Sequence, residues 1–214
     1  MRTVPYGPNS WLITFAERVD DVAFERGRAI AQFLETDPPE GLREFISGYT
    51  TVLLIFGDPT VKHQEWDIAG AVAQLEQAVR GKTPVAAVKE ITTIYDGPDL
   101  ARVAEHNSLS TDEVIRIHAE TIYKVYMLGF APGFPYLGDL DSRLHTPRLE
   151  QPRTQVPAGS VAIGGEHTGI YSIPNPGGWN LIGRTETELF DLNRGDGEEA
   201  FFLRPGDRVK FVPT

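Results

Sequence analysis

The carboxyl-terminal half of the chain constrains the fold most, because from Tyr123 onward it has no helical periodicity. Short apolar segments alternate there with glycine and proline, residues that favour turns and interrupt helices. Short strands separated by such turns are typical of a compact β-barrel. The most rigid turn is MLGFAPGFPYLGDL, residues 127–140, which places three aromatic side chains among prolines and glycines.

The amino-terminal part instead alternates strand-like and helix-like segments. A strand-like SWLITFA precedes a helical pattern over 19–34, and LREFIS and TVLLIFG precede a second helical pattern over 66–80. This order predicts an α+β sandwich of the split βαβ type. The turn-forming RGKTP segment predicts a boundary, with a small α+β domain over 1–82 and a β-barrel domain over 83–214.

Composition excludes several classes of partner and site. The chain has 30 acidic and 20 basic residues, a net charge of −10, which argues against nucleic-acid and anionic-membrane surfaces. The absence of cysteine excludes disulfides, thiolate zinc sites and cysteine nucleophiles. No apolar run approaches the ~20 residues that span a bilayer, and the amino terminus lacks a signal-peptide pattern. We therefore expect a cytoplasmic protein with neither nucleic acid nor membrane as partner.

General catalytic motifs such as a Walker loop or G-x-S-x-G are absent from the sequence, and the histidines lack metal-ligand spacing, so we expect no metal site. His118 falls on the apolar face of a helix that a capping box at Ser110 begins. It is either a core histidine, a histidine favoured by the dipole at the carboxyl end of the helix, or a functional residue. Arg148, Arg153 and Arg184 lie among turns and strands, where each is a surface charge, forms a structural ion pair, or binds a carboxylate or phosphate.

The GFAPGFPY loop has two physical explanations. Aromatic side chains held by neighbouring prolines lose little entropy on binding, so they are good anchors for a partner or walls for a pocket. Alternatively, Phe130, Phe134 and Tyr136 plug the barrel as core residues. We expect residues 129–137 to form a rigid lip in which these three side chains are partly exposed.

Long stretches of the sequence resemble one known family. The segments YKVYMLGFAPGFPYLGDLDSRLHTPRLEQPRTQVPAGSVAIGG, TGIYSIPNPGGWNLIGRT and LRPGDRVKFV resemble the B subunit of bacterial 5-oxoprolinase, formerly called allophanate hydrolase subunit 1. The resemblance implies a small α+β domain followed by a cyclophilin-like β-barrel. It also implies two partners, a sister chain that is the C subunit of the enzyme and a further A subunit. With them the chain opens 5-oxo-L-proline, a cyclic amide, to L-glutamate at the expense of ATP.

The same resemblance leaves alternatives, because related chains serve in urea carboxylase and one inhibits a sporulation histidine kinase. The chain is thus either part of a hydrolase, part of an allophanate- or urea-type amidohydrolase or carboxylase, or a non-catalytic kinase inhibitor. ATP is expected as a cosubstrate whose site lies here or on a partner. Two departures, His167 where the family has glutamine and Ser172 where it has proline, put the ligand of that loop in question.

Site residues follow from the resemblance. His118 is the candidate acid/base, Tyr126 is expected to orient the amide, and Arg153 or Lys124 is expected to hold the substrate carboxylate. The further candidates for substrate binding or the interface with a partner lie mostly in the glycine-rich loops: Lys124, Gly129, Phe130, Pro132, Gly133, Phe134, Tyr136, Gly164, Gly165 and Arg184.

Overall fold

The computed structural model describes residues 1–57, 87–195 and 197–214, which form mostly β-structure with few helices. The chain divides into two compact units, Met1–Val85 and Ala86–Thr214. The helix predicted over 66–80 and the boundary predicted at 80–84 lie outside the described residues.

The first unit contains a four-stranded antiparallel sheet, in the order β1-β2-β4-β3. Its strands are β1 (Arg2–Pro5), β2 (Ser10–Thr14), β3 (Leu42–Ser47) and β4 (Thr51–Phe56). Helix α1 (Asp21–Thr36) begins at Asp20, whose carboxylate accepts a hydrogen bond from the Ala23 amide. One apolar face of α1 and alternate residues of the sheet make the core: Ile13, Phe15, Ile30, Leu34, Val52, Leu54 and Phe56. The split βαβ arrangement stays a prediction because it requires the second helix.

The second unit contains a seven-stranded sheet, in the order β12-β9-β10-β7-β6-β13-β5. Its strands are β5 (Val88–Thr93), β6 (Ile122–Leu128), β7 (Pro135–Leu137), β9 (Ser160–Gly164), β10 (His167–Ile170), β12 (Asn180–Arg184) and β13 (Arg208–Pro213). A separate two-stranded ribbon pairs β8 (Arg153–Val156) with β11 (Asn175–Gly177).

The two edges of the seven-stranded sheet meet. Just past β5, Ile94 exchanges two backbone hydrogen bonds with Arg184 of β12, at 2.9 and 2.8 Å. Farther along, the amide of Asp99 donates to the carbonyl of Leu181 at 2.9 Å. The sheet therefore curls until an isolated bridge joins its two edges, and the predicted mostly-β character of this unit is confirmed. The likeness to cyclophilin stays a prediction.

Two helices pack on this sheet: α2 (Leu100–His106) and α3 (Thr111–Glu120). The predicted capping box is confirmed, because the Ser110 hydroxyl accepts from the Glu113 amide while the Glu113 carboxylate accepts from the Ser110 amide. The buried face of α3 carries Val114, Ile117 and His118, which confirms the predicted burial of His118. Within the described residues, no helix has the length and apolarity needed to cross a membrane.

Candidate functional site

A cleft of about 250 Å³ opens in the second unit, and we name it the aromatic cleft. It takes its walls from the β6–β7 loop, the segment around Arg148, and the 176–179 turn. Its side chains include five aromatics and one cation: Phe130, Phe134, Tyr136, Tyr171, Trp179 and Arg148. Sites for drug-sized ligands usually measure about 300–1,000 Å³, so this cleft suits a smaller molecule.

Phe134 organises the aromatic walls. Its ring makes edge-to-face contacts with the rings of Phe130, Tyr136, Tyr171 and Trp179, at centroid distances of 5.4, 5.1, 5.3 and 5.4 Å. Such pairs contribute about 0.5–1.5 kcal/mol each beyond the area they bury. Phe134 is 2 % exposed, so the expectation that it is partly exposed is wrong. It is a core residue that fixes the cleft walls.

Phe130, in contrast, is 59 % exposed at the rim of the cleft. The amide of Ala131 donates to the carbonyl of Gly129 at 2.7 Å, which closes a three-residue turn centred on Phe130. The φ of Phe130 is +66°, a conformation that is unfavourable for a bulky L-residue. A strained backbone therefore presents this ring at the surface.

A second turn follows directly and is the one the sequence predicts to be rigid. The amide of Phe134 donates to the carbonyl of Ala131 at 3.1 Å, with Pro132 and then Gly133, at φ +73°, in the central positions. Proline followed by a residue of positive φ matches a type II turn. The Ser172 hydroxyl donates to the Pro132 carbonyl at 2.5 Å and ties the turn to the loop after β10. Ser172, which stands where the family has proline, therefore holds this turn through its side chain.

Trp179 forms another wall and supports the single cation. A Cβ placed on Gly164 would lie 2.5 Å from the Trp179 ring, so the indole packs flat on the backbone of β9. On that ring lies the guanidinium of Arg148, with Cζ 5.7 Å from the centroid. Among the described lining residues, Arg148 alone is charged. The cleft therefore has apolar walls with one positive group.

Two tyrosine hydroxyls complete the cleft and are protonated at neutral pH. Burial raises the pKa of Tyr136 and of Tyr171, and Arg148 opposes that rise at both. At Tyr171 a hydrogen bond from the Trp179 amide and the charge of Arg153 also oppose it. A protonated tyrosine hydroxyl can donate a hydrogen bond to a ligand oxygen.

His118 lies in the core, with none of its surface exposed. Its Nε2 is 2.9 Å from the Thr168 hydroxyl, and its Nδ1 is 2.7 Å from the Tyr95 hydroxyl. The Thr168 hydroxyl donates to the Ala162 carbonyl at 3.0 Å, so it must accept from His118 Nε2–H. Nδ1 is then the acceptor of the Tyr95 proton. Burial lowers the pKa of His118 to about 3, so the ring is neutral.

These contacts favour the core alternative for His118. Its ring packs at 4.4 Å from the Phe211 centroid and at 5.2 Å from that of Tyr123, whose hydroxyl donates to the His118 carbonyl. Both nitrogens are thus already committed to protein partners. A catalytic role for His118 stays a prediction. Because the ring is buried, that role would require a proton to pass through the Tyr95 hydroxyl.

Arg153 also has a protein partner. Its Nη2 lies 2.8 Å from Oδ1 of Asp99, and the other oxygen of Asp99 accepts from the Leu181 amide at 2.7 Å. This ion pair links the start of α2 to β8 and β12, with the Asp99 side chain only 10 % exposed. The geometry favours a structural pair over a carboxylate-binding fork, and the catalytic assignment of Arg153 stays a prediction.

The remaining predicted residues are distributed over the unit. Lys124 lies with Nζ 5.3 Å from the Tyr126 ring centroid, and the Tyr126 hydroxyl donates to Asp139 at 3.4 Å. Arg184 is exposed and pairs with Asp96 at 2.9 Å beside the seam of the sheet. Gly165 occupies the β9–β10 turn with φ +66°. Of the predicted set, the structure brings Phe130, Phe134, Tyr136 and Gly164 to the aromatic cleft, together with the turn residues between them.

Sequence reasoning missed Tyr171 and Trp179 and gave Arg148 no more weight than other arginines. A signal was present in NPGGW, because Gly177 lacks the side chain that would clash with Tyr171: a Cβ there would lie 2.0 Å from the Tyr171 hydroxyl. Within the described parts of the chain, no three His, Asp or Glu side chains are grouped so that they could hold a metal ion.

Two curated bacterial proteins, each named as the B subunit of 5-oxoprolinase, are similar to this chain. The one from Bacillus subtilis is 38 % identical over 218 residues, covering 96 % of this chain and 90 % of its own length. The one from Escherichia coli O157:H7 is 54 % identical over 127 residues, covering 58 % of this chain and 57 % of its own length. The chain thus aligns with little more than half of the E. coli relative.

The fold is also shared with a larger enzyme. The crystal structure of the Kluyveromyces lactis urea carboxylase matches 99 % of this chain with a TM-score of 0.74 at 22 % identity, and the chain covers 21 % of that protein. Residues 1–201 match the family described as carboxyltransferase domain, subdomain C and D. The chain therefore belongs to the carboxyltransferase subdomain C and D family, and its relatives at 38–54 % identity are B subunits of 5-oxoprolinase.

Proposed function

We propose that this chain is the B subunit of a 5-oxoprolinase, an assembly that opens 5-oxo-L-proline to L-glutamate at the expense of ATP. The observation that carries the proposal is the 38 % identity to the B. subtilis relative over 96 % of the chain. The aromatic cleft supports it, because a small ring bearing one carboxylate matches apolar walls of about 250 Å³ with one guanidinium.

The chemistry explains why such a reaction requires ATP. Amide resonance makes C5 of the lactam a poor electrophile, and phosphoryl transfer to the lactam oxygen removes that resonance. Water then attacks C5, the ring C–N bond breaks and the nitrogen takes a proton. A second water releases phosphate and leaves glutamate with ADP. Phosphoryl transfer depends on positioning and charge stabilisation, so the ATP site must lie close to the lactam oxygen.

In this scheme the chain supplies the pocket and a partner supplies the phosphate site. The aromatic walls exclude water from the ring, and the hydroxyls of Tyr136 and Tyr171 offer hydrogen bonds to the lactam. The sequence contains no Walker loop, so ATP is assigned to a partner. The isolated chain is therefore expected to bind substrate without turning it over.

The A and C subunits of the enzyme dock, in this proposal, beside the cleft. Phe130 is the exposed aromatic of the loop, and the turn centred on it, with the turn that follows, fixes its backbone before any partner binds. A fixed aromatic loses little conformational entropy on docking, which makes it a suitable anchor for an interface.

The assembly experiment tests the function directly. The chain is co-expressed with its sister, the C subunit, and with the A subunit, and glutamate release from 5-oxoproline is measured with and without ATP. We expect release only with ATP and only from the assembly. Turnover by the isolated chain, or an assembly that consumes ATP with urea and not with 5-oxoproline, would overturn the proposal.

The docking role of Phe130 has a matched control in the same unit. Phe130→Ala is expected to weaken binding of the partner chains about 30-fold, the effect of removing about 2 kcal/mol of anchor energy. Leu192 is 69 % exposed, so Leu192→Ala removes a comparable apolar side chain elsewhere. Equal affinities of the wild type and both variants, measured by calorimetry, would contradict the proposed interface.

A further inference from the structure

Arg148 is an exposed guanidinium that the chain leaves available. Within the residues that the structure describes, it stacks on Trp179 and forms no ion pair. Neighbouring arginines differ: Arg143 pairs with Asp141 at 2.7 Å, and Arg153 pairs with Asp99 at 2.8 Å.

The position of Arg148 is nevertheless defined. Its guanidinium lies over the Trp179 ring, and that ring is held between the backbone of Gly164 and the edge-to-face contact with Phe134. Tyr136 packs on the same indole with a centroid distance of 5.9 Å. A cation–π contact uses the charge of the guanidinium and none of its N–H groups, so these groups can still bind a ligand in the cleft.

From this geometry we propose that Arg148 is the specificity-determining residue of the aromatic cleft and binds the carboxylate of a compact monoanionic ligand. The identity of that ligand, 5-oxoproline, rests on the proposed function. The recognition of a carboxylate by Arg148 does not depend on it. A planar guanidinium fork matches the two oxygens of a carboxylate. A phosphate dianion would leave charge uncompensated here, because the cleft holds one cation and, among its described residues, no second one.

The rest of the ligand is also constrained. Edge and face surfaces of Tyr136, Tyr171 and Trp179 suit a flat, largely apolar body, and burial keeps both tyrosine hydroxyls protonated by raising their pKa. The fitting class is a small cyclic or planar carboxylic acid, and a polar group on its ring can form a hydrogen bond with a tyrosine hydroxyl. The carboxyl-terminal end of a peptide has the same headgroup, so the experiment must separate these two sources.

Binding to the full chain is measured by calorimetry and by NMR of the Trp179 indole N–H. The probes are 5-oxoproline, cyclopentanecarboxylate, 5-oxoprolinamide, and one short peptide with either a free or an amidated carboxyl end. We expect the two cyclic acids to bind and to shift the Trp179 signal. We expect 5-oxoprolinamide to bind at least about 10-fold more weakly than 5-oxoproline. Both peptides should also bind more weakly than the two cyclic acids. Tighter binding of the free-ended peptide would overturn the small-ligand assignment.

Variants then assign the headgroup contact. Arg148→Gln should weaken acid binding at least about 10-fold and abolish the preference for acid over amide, while Arg148→Lys restores part of it. Arg143→Gln removes an exposed arginine outside the cleft and should bind acids as the wild type does. Unchanged acid binding in Arg148→Gln, or an equal loss in Arg143→Gln, would overturn the inference.

The two proposals fail separately. If Arg148 selects cyclopentanecarboxylate in the isolated chain but the assembly releases no glutamate, the proposed function is wrong and the inference stands. If the assembly is active and Arg148→Gln leaves kcat/KM for 5-oxoproline unchanged, the function stands and the inference is wrong.

Discussion

His118 donates its Nε2–H to the Thr168 hydroxyl, and this bond joins helix α3 to strand β10 inside the core of the second unit. The direction of the bond follows from Thr168, whose own proton goes to the Ala162 carbonyl. A neutral histidine with one defined tautomer therefore holds the helix on the sheet. The tautomer of His118, the pH dependence of stability and the effect of replacing Thr168 all depend on this bond.

The first prediction concerns the tautomer. Nitrogen NMR of the chain at pH 7 should show His118 protonated at Nε2 and unprotonated at Nδ1, and the same pattern should persist at pH 5. The reason is that burial holds the pKa of His118 near 3. Protonation of both nitrogens by pH 6 would contradict the buried, neutral ring.

The second prediction concerns stability against pH. The pKa of His118 is about 3 in the folded chain and about 6.5 in the unfolded chain. As the pH falls below about 6.5, the unfolded chain takes up a proton that the folded chain excludes. Stability is thus retained above that pH and lost between pH ~6.5 and ~3, by on the order of 1 kcal/mol per pH unit.

Urea unfolding at pH 7 and pH 5 measures this loss. His118→Gln, which keeps a donor and an acceptor but does not titrate, should be less stable at pH 7 and should lose less stability on acidification. An identical pH dependence in wild type and variant would assign the titration to another group.

The third prediction separates the two ends of the same bond. Thr168→Val keeps the shape of the side chain but removes the acceptor, which leaves His118 Nε2–H buried without a partner. We expect a loss of about 1–3 kcal/mol of unfolding free energy. Thr168→Ser keeps the hydroxyl and should lose clearly less, and a serine variant as unstable as the valine variant would point to packing as the cause.

The fourth prediction contrasts two phenylalanines of one loop. Phe134→Ala removes the ring that four other aromatics contact, and should destabilise the chain by about 3–5 kcal/mol. Phe130→Gly removes an exposed ring at φ +66°, where glycine is unstrained, and should change stability by less than about 1 kcal/mol. Thermal unfolding compares them, and similar losses would mean that the two rings share one environment.

Local patterns in the sequence predicted local structure well. The capping box at Ser110 and the apolar face that carries His118 follow from short-range spacing, and both are present. The proline and glycine of the APGF segment likewise predict the rigid turn that Pro132 and Gly133 form. These features depend on residues within a few positions of each other, so the sequence alone contains the necessary information.

The site depended on long-range contacts and was predicted only in part. Phe134 was expected to be partly exposed because nothing local distinguishes it from Phe130, yet Tyr171 and Trp179, from distant segments of the chain, enclose it. Asp99 forms an ion pair with Arg153, which lies 54 positions away in the sequence, and sequence periodicity does not reveal such a contact. Arg148 is distinguished from the other arginines by its place over the Trp179 ring in the aromatic cleft, and that too requires the fold.

The last prediction concerns the two adjacent glycines of the β9–β10 hairpin, which are needed for different reasons. Gly164 is buried under Trp179, and a Cβ there would lie 2.5 Å from the indole, which cannot move because Phe134 and Tyr136 pack against its other sides. Gly165 has open space around its Cα but a φ of +66°.

Gly164→Ala should therefore cost about 1–3 kcal/mol, alter the near-ultraviolet circular dichroism of the aromatic cluster and weaken carboxylate binding in the cleft. Gly165→Asn should be tolerated with the spectrum unchanged, because asparagine adopts positive φ readily and no neighbour obstructs it. If Gly164→Ala preserves both the spectrum and the stability, the indole is not packed on the strand as described, and the support that holds Arg148 over the cleft lies elsewhere.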